Sequence, residues 1–113
     1  VTDLVSLTAL VPEQLAAARN SSAGRSARTL YGGTGHALRQ TVLALAGGHS
    51  LGEHESPGEA TLQVLAGRVR LSAGGKKWEA TEGGFLPIPP TRHDLAAIDD
   101  SVVLLSVVAG TGA

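Results

Sequence analysis

The stretch Gly48 to Gly67, G-H-S-L-G-E-H-E-S-P-G-E-A-T-L-Q-V-L-A-G, decides how this chain folds. It sets His54 and a group of carboxylates ahead of a Pro-Gly turn, and the turn ahead of an apolar strand. A second stretch, Gly83 to His93, G-G-F-L-P-I-P-P-T-R-H, answers with another strand ending in a histidine. Two such strands lining one barrel bring His54 and His93 to the same cavity.

Outward from these stretches the chain breaks into short apolar runs separated by glycine pairs. Ser26 to Tyr31, Leu38 to Ala46, Thr61 to Leu65, Arg68 to Ser72, Lys77 to Ala80, Phe85 to Ile88, Leu95 to Ile98 and Val102 to Val108 read as strands. Gly32-Gly33, Gly47-Gly48, Gly74-Gly75 and Gly83-Gly84 read as turns, because glycine accepts the positive φ that tight turns need. No interval between the strands is long enough for crossover helices, so the expected class is all-β, a sandwich or barrel. Ahead of them, Leu7, Leu10, Val11, Leu15 and Ala18 recur at helical spacing, and Pro12 suits a first turn, which predicts one short helix over Pro12 to Arg19. The organisation expected is a helix with an accessory strand over residues 1–37, then a barrel over 38–110.

Composition supports this reading. Apolar residues make up 42% of the 113, but Phe, Tyr and Trp number one each, so the core must be built from Val, Leu, Ile and Ala. Nine Lys and Arg against ten Asp and Glu give no electrostatic reason to expect a nucleic acid as partner. The absence of cysteine excludes disulfides, thiolate metal sites and a cysteine nucleophile. No apolar run is long enough to span a bilayer and no secretory signal pattern opens the chain, so the expectation is a cytoplasmic protein without a membrane partner.

Gly48, His54 and Gly67 resemble the first sequence motif of the cupin superfamily, G-x5-H-x-H-x3-E-x6-G. Five residues separate Gly48 from His54 and six separate Ala60 from Gly67. Leu62 to Val69 is similar to the family's V-L-x-G core, and Gly83, Pro89 and His93 match positions of its second motif. The resemblance covers residues 38 to 108. It implies a small cupin double-stranded β-helix, a jelly-roll barrel of the cupin 2 type, with one short N-terminal helix. It also implies a homodimer, for which the strands at Ser26 to Tyr31 and Val102 to Val108 are interface candidates.

The resemblance further implies a metal position, which this chain fills incompletely. Where the family places its four ligands, this sequence has His54, Ser56, Ala60 and His93. A divalent transition metal such as Zn, Fe, Mn or Ni normally takes at least three protein ligands, and two imidazoles alone bind weakly. A one-residue slip at Pro57-Gly58 would turn Glu59 inward and rebuild a triad of His54, Glu59 and His93. His49 is a further donor if its loop folds in. Without a metal, the barrel mouth can bind a small molecule, with His54, Ser56 and His93 as its polar contacts.

The leading functional expectation is therefore a small-molecule-binding cupin with a degenerate metal site, in a sensor or accessory role. The alternatives are a metal-dependent enzyme, an oxygenase or isomerase on a small polar substrate, and a structural dimer module without a ligand. Elsewhere, Gly32 to His36, G-G-T-G-H, looks like a phosphate loop but lacks the lysine and the helix one needs, and His36 reads as a solvated loop histidine. His54-Glu55 is followed by Ser-Pro-Gly, which forbids the helix of an H-E-x-x-H zinc site.

Overall fold

The computed structural model describes residues 3–55 and 58–109. One helix, α1 (Leu7–Asn20), precedes eight strands. These are β1 (Arg25–Tyr31), β2 (Leu38–Leu45), β3 (Gly58–Ala66), β4 (Arg68–Ala73), β5 (Lys76–Thr81), β6 (Phe85–Pro87), β7 (His93–Ala97) and β8 (Ser101–Ala109). They form a five-stranded sheet in the order β1-β2-β8-β3-β6 and a three-stranded sheet in the order β5-β4-β7. Every pairing is antiparallel. The two sheets face each other as a jelly roll, and no continuous ladder of named strands closes them into a barrel.

The helix is longer than its spacing predicts and begins earlier. Ser6 caps it, its hydroxyl accepting the Ala9 N–H at 3.2 Å, so Pro12 lies inside the helix rather than in its first turn. Leu10 and Ala18 face the large sheet, where they pack on Val42, Ala44 and Val102. The side of β2 opposite to Val42 and Ala44 carries Leu43 and Leu45 into the space between the sheets, with Leu62, Val64, Leu71, Leu95 and Val103. Burial on both faces explains why this strand ends in a continuous apolar run instead of an alternation.

Gly67, between β3 and β4, has φ +85°, and a Cβ there would fall on the Asp100 carbonyl oxygen and the Ser101 hydroxyl. The space is needed because Ser101, fully buried, accepts the Arg68 N–H at 3.0 Å and so ties the β3–β4 turn to the start of β8. β8 lies between β2 and β3 with its backbone hydrogen-bonded on both sides, so it offers no free edge to a partner. β1 is an edge strand, and most of its residues are exposed.

Candidate functional site

After β2 the chain leaves the large sheet and runs antiparallel along β7, extending the small sheet. Leu51 N–H donates to the Leu95 carbonyl at 3.0 Å, and Ser50 is bridged to Ala96. Three residues further on the register has slipped, for His54 pairs with His93 instead of continuing the earlier count. Side chains alternate along a strand, so Leu51 facing inward opposite Leu95 would send His54 outward. The extra residue restores it to the inner face. Gly52, at φ +84°, sits where this bulge forms, in a conformation that L side chains rarely adopt.

The result is a histidine pair at the mouth of a cavity of about 180 Å³ between the sheets. The lining is mostly aliphatic, including Leu43, Leu62, Leu71, Ile88 and Leu105. The two imidazole centroids lie 4.4 Å apart, edge to face at 65°. His93 is buried, with 4% of its surface exposed, and His54 closes the mouth as an exposed residue. Each ring has Nδ1 against the carbonyl two residues earlier: His54 against Gly52 at 3.0 Å, and His93 against Thr91 at 2.9 Å. A carbonyl oxygen can only accept, so Nδ1 carries the hydrogen in both rings. In the neutral imidazoles Nε2 is then the nitrogen with a lone pair to offer.

The other candidate residues are placed as follows. Ser56, expected as a polar contact, lies outside the described residues, as does Pro57. Ala60 faces the cavity, buried, while its neighbour Glu59 is exposed on the opposite face of β3. The strand alternates without interruption from Gly58 to Val64, so the slip that would have turned Glu59 inward does not occur there. The bulge lies earlier, at Gly52, and it serves His54. His49 packs over Gly24, whose missing Cβ makes room for the ring, and stays exposed. His36 is also exposed and meets Tyr31 edge-on, with centroids 5.0 Å apart.

Pairs of imidazoles oriented through Nδ1 are common metal ligands. Among the described residues no group of three His, Cys, Asp or Glu is arranged to hold a metal ion. The third family position is Ala60, which has no donor, and Glu59 points away. Among the described residues, the two imidazole nitrogens fall short of the three donors that firm metal binding takes.

The spacing of the histidines did not reveal the rim of the cavity. Glu55 lines it, and Arg92, one residue before His93, donates to the Glu55 carboxylate at 3.2 Å while its Nε lies 3.9 Å from that of Glu53. This exposed clip joins the two segments that carry the histidines. Its stabilising contribution is small, as for exposed pairs in general, but it neutralises the carboxylate nearest the opening. The alternation of charge in E-H-E against R-H was the available signal.

Neither a family model nor a curated protein matches the sequence. Solved structures do. A conserved protein of unknown function from Streptococcus pyogenes is 29% identical, with a TM-score of 0.70 over 79% of this chain and 77% of that one. A cupin superfamily protein from Desulfitobacterium hafniense is 17% identical, with a TM-score of 0.69 over 75% of this chain and 77% of its own. A cupin 2 conserved barrel domain protein from Leptotrichia buccalis is 25% identical, with a TM-score of 0.65 over 78% of this chain and 42% of its own. Facing antiparallel sheets around a mouth with paired histidines define a jelly roll of the cupin kind. The chain has the cupin fold.

Proposed function

We propose that this chain is a small-molecule-binding cupin in a sensor or accessory role, whose cavity takes an uncharged apolar body carrying a hydrogen-bond donor. The observation that supports it most is the pairing of an aliphatic cavity with two imidazoles whose Nδ1 atoms are already committed to backbone carbonyls. The apolar walls provide affinity through dehydration, and the Nε2 lone pairs orient a hydroxyl or N–H. A cavity of about 180 Å³ suits a body of roughly one ring, since an apolar cavity near 150 Å³ accepts benzene. A homodimer is proposed alongside, on the outer face of the large sheet beyond α1, where Tyr31 and Leu38 are exposed.

Metal analysis of protein purified without an affinity tag tests the reading against its enzymatic rival. The expected result is no stoichiometric Zn, Fe, Mn or Ni. A stoichiometric metal that disappears in His93→Ala would overturn it.

A further inference from the structure

The β1–β2 connection lacks the lysine and the helix of a phosphate loop, yet the fold places it beside the cavity. Thr41 and Arg39 lie on the same face of β2 as Leu43, which lines the cavity, and they follow it toward the open end of the sheet. Their register partners on β8 are Leu105 and Val107, both cavity-lining residues. Thr29 pairs with Thr41 and shares its face. Together with Gly32, Gly33 and Thr34 these residues line a shallow cleft that adjoins the cavity on the inner face of the large sheet.

This cleft differs from the cavity in its chemistry. It has three hydroxyls, a guanidinium and no carboxylate. Arg19, Arg68, Arg70 and Arg92 each meet an acidic partner, whereas Arg39, like Arg25 and Arg28, meets none among the described residues. The glycines of the loop have a structural reason as well. A Cβ on Gly32 would lie 3.1 Å from the Arg39 Cγ, so the stem of the arginine rests on the loop backbone there. Gly32, Gly33 and Gly35 all have positive φ, at 139°, 106° and 85°. The loop is thus shaped to carry the arginine stem across it, at the margin of the apolar cavity.

We infer that the ligand is an amphipathic acid: its apolar body occupies the cavity and its oxyanion, a carboxylate or phosphate-like group, is held in the adjoining cleft by Arg39 with Thr29, Thr34 and Thr41. This rests on the cavity reading above and extends it. Arginine offers five N–H donors in a planar fork that matches an oxyanion, and threonine hydroxyls can complete its shell. Glu55, the carboxylate at the rim, does not repel such a ligand strongly because Arg92 pairs with it.

The test uses the full chain and three compounds sharing one phenol ring: p-cresol, (4-hydroxyphenyl)acetate and (4-hydroxybenzyl)phosphonate. Binding is followed by calorimetry and by amide shifts of the cavity residues. At least one of the two anions is expected to bind roughly tenfold tighter than p-cresol, as a charge-assisted contact would give. Arg39→Gln should remove that gap and leave p-cresol unchanged, and Arg39→Lys should restore part of it. Arg39 is exposed, so both variants are expected to melt with the wild type. Equal binding of all three compounds, or a gap that survives in Arg39→Gln, would overturn the inference while leaving the cavity reading in place. If none of the three perturbs the cavity residues, both fall together.

Discussion

His54 and His93 are joined twice over: their backbones exchange hydrogen bonds at 2.9 and 3.0 Å, and their rings meet edge to face with centroids 4.4 Å apart. Residues 39 positions apart in the chain are thereby held as one polar element at the mouth of an otherwise aliphatic cavity. The register slip between Ser50 and His54 makes this possible, and Gly52 within it has a positive φ.

Replacing Gly52 by valine should therefore do more to the site than to the fold. A β-branched residue at φ +84° costs about 1–2 kcal/mol, and the chain can escape the strain by losing the bulge. His54 would then turn outward. The expected outcome is a modest drop in denaturant midpoint together with loss of the contact between the two imidazoles, read from their ring proton shifts. A variant that keeps the ring contact would show that the bulge does not need the glycine.

Filling the cavity gives the opposite pattern. Ala60 is buried with its methyl toward the cavity, and Ala60→Leu adds three carbons to space already present. Stability should stay within about 1 kcal/mol of wild type, unlike the usual cost of enlarging a packed core residue. Binding of a one-ring ligand should be lost. Calorimetric melting and a ligand titration on the same sample check both parts.

Gly67→Ala should be severe, at about 3 kcal/mol, since the methyl would fall on the Asp100 carbonyl and the backbone is left-handed. Urea unfolding measures it. An effect near that of an ordinary surface glycine would contradict the packing at this turn.

Asp100 gives a pH dependence. The Gly47 N–H at 2.8 Å, and after it the Arg19 guanidinium, hold its carboxyl below the ordinary carboxylate value. A depressed folded value means that the folded state binds the proton less readily than the unfolded chain. The stabilisation is therefore full above the unfolded value near about 4, and is lost as pH falls through the lower folded one. Thermal melts between pH 6 and 2 should show a smaller acid-side decline for Asp100→Asn than for wild type. Parallel curves would show that the clip between α1 and the β2–β3 connection is not responsible.

Much of the fold was legible because glycine punctuates it. All eight predicted strands exist, with ends moved by one to three residues. The start of α1 is set by Ser6, whose hydroxyl is the cap, and Pro12, a residue suited to a first turn, lies inside the helix instead. The place of β8 in the sheet was not readable from its apolar run, since central and interface strands share that composition. At the site, the pairing of His54 with His93 followed from the two motifs, but the device that turns His54 inward did not. A bulge is a register relation between distant segments, and spacing within one segment does not encode it. The same limit hid the outward side of Glu59 and the neighbourhood of Arg39, which lies opposite Val107 only once β2 and β8 are paired.

The central claim, that the cavity binds a small molecule through its histidine pair without a metal, is tested most directly by an NMR titration with phenol. Tag-free protein in excess chelator is used, with Ala60→Leu as control. The account predicts saturable shifts at Leu51, His54, His93 and Leu95 that are absent in the control. Shifts that do not saturate, or binding that appears only when a transition metal is restored, would contradict it.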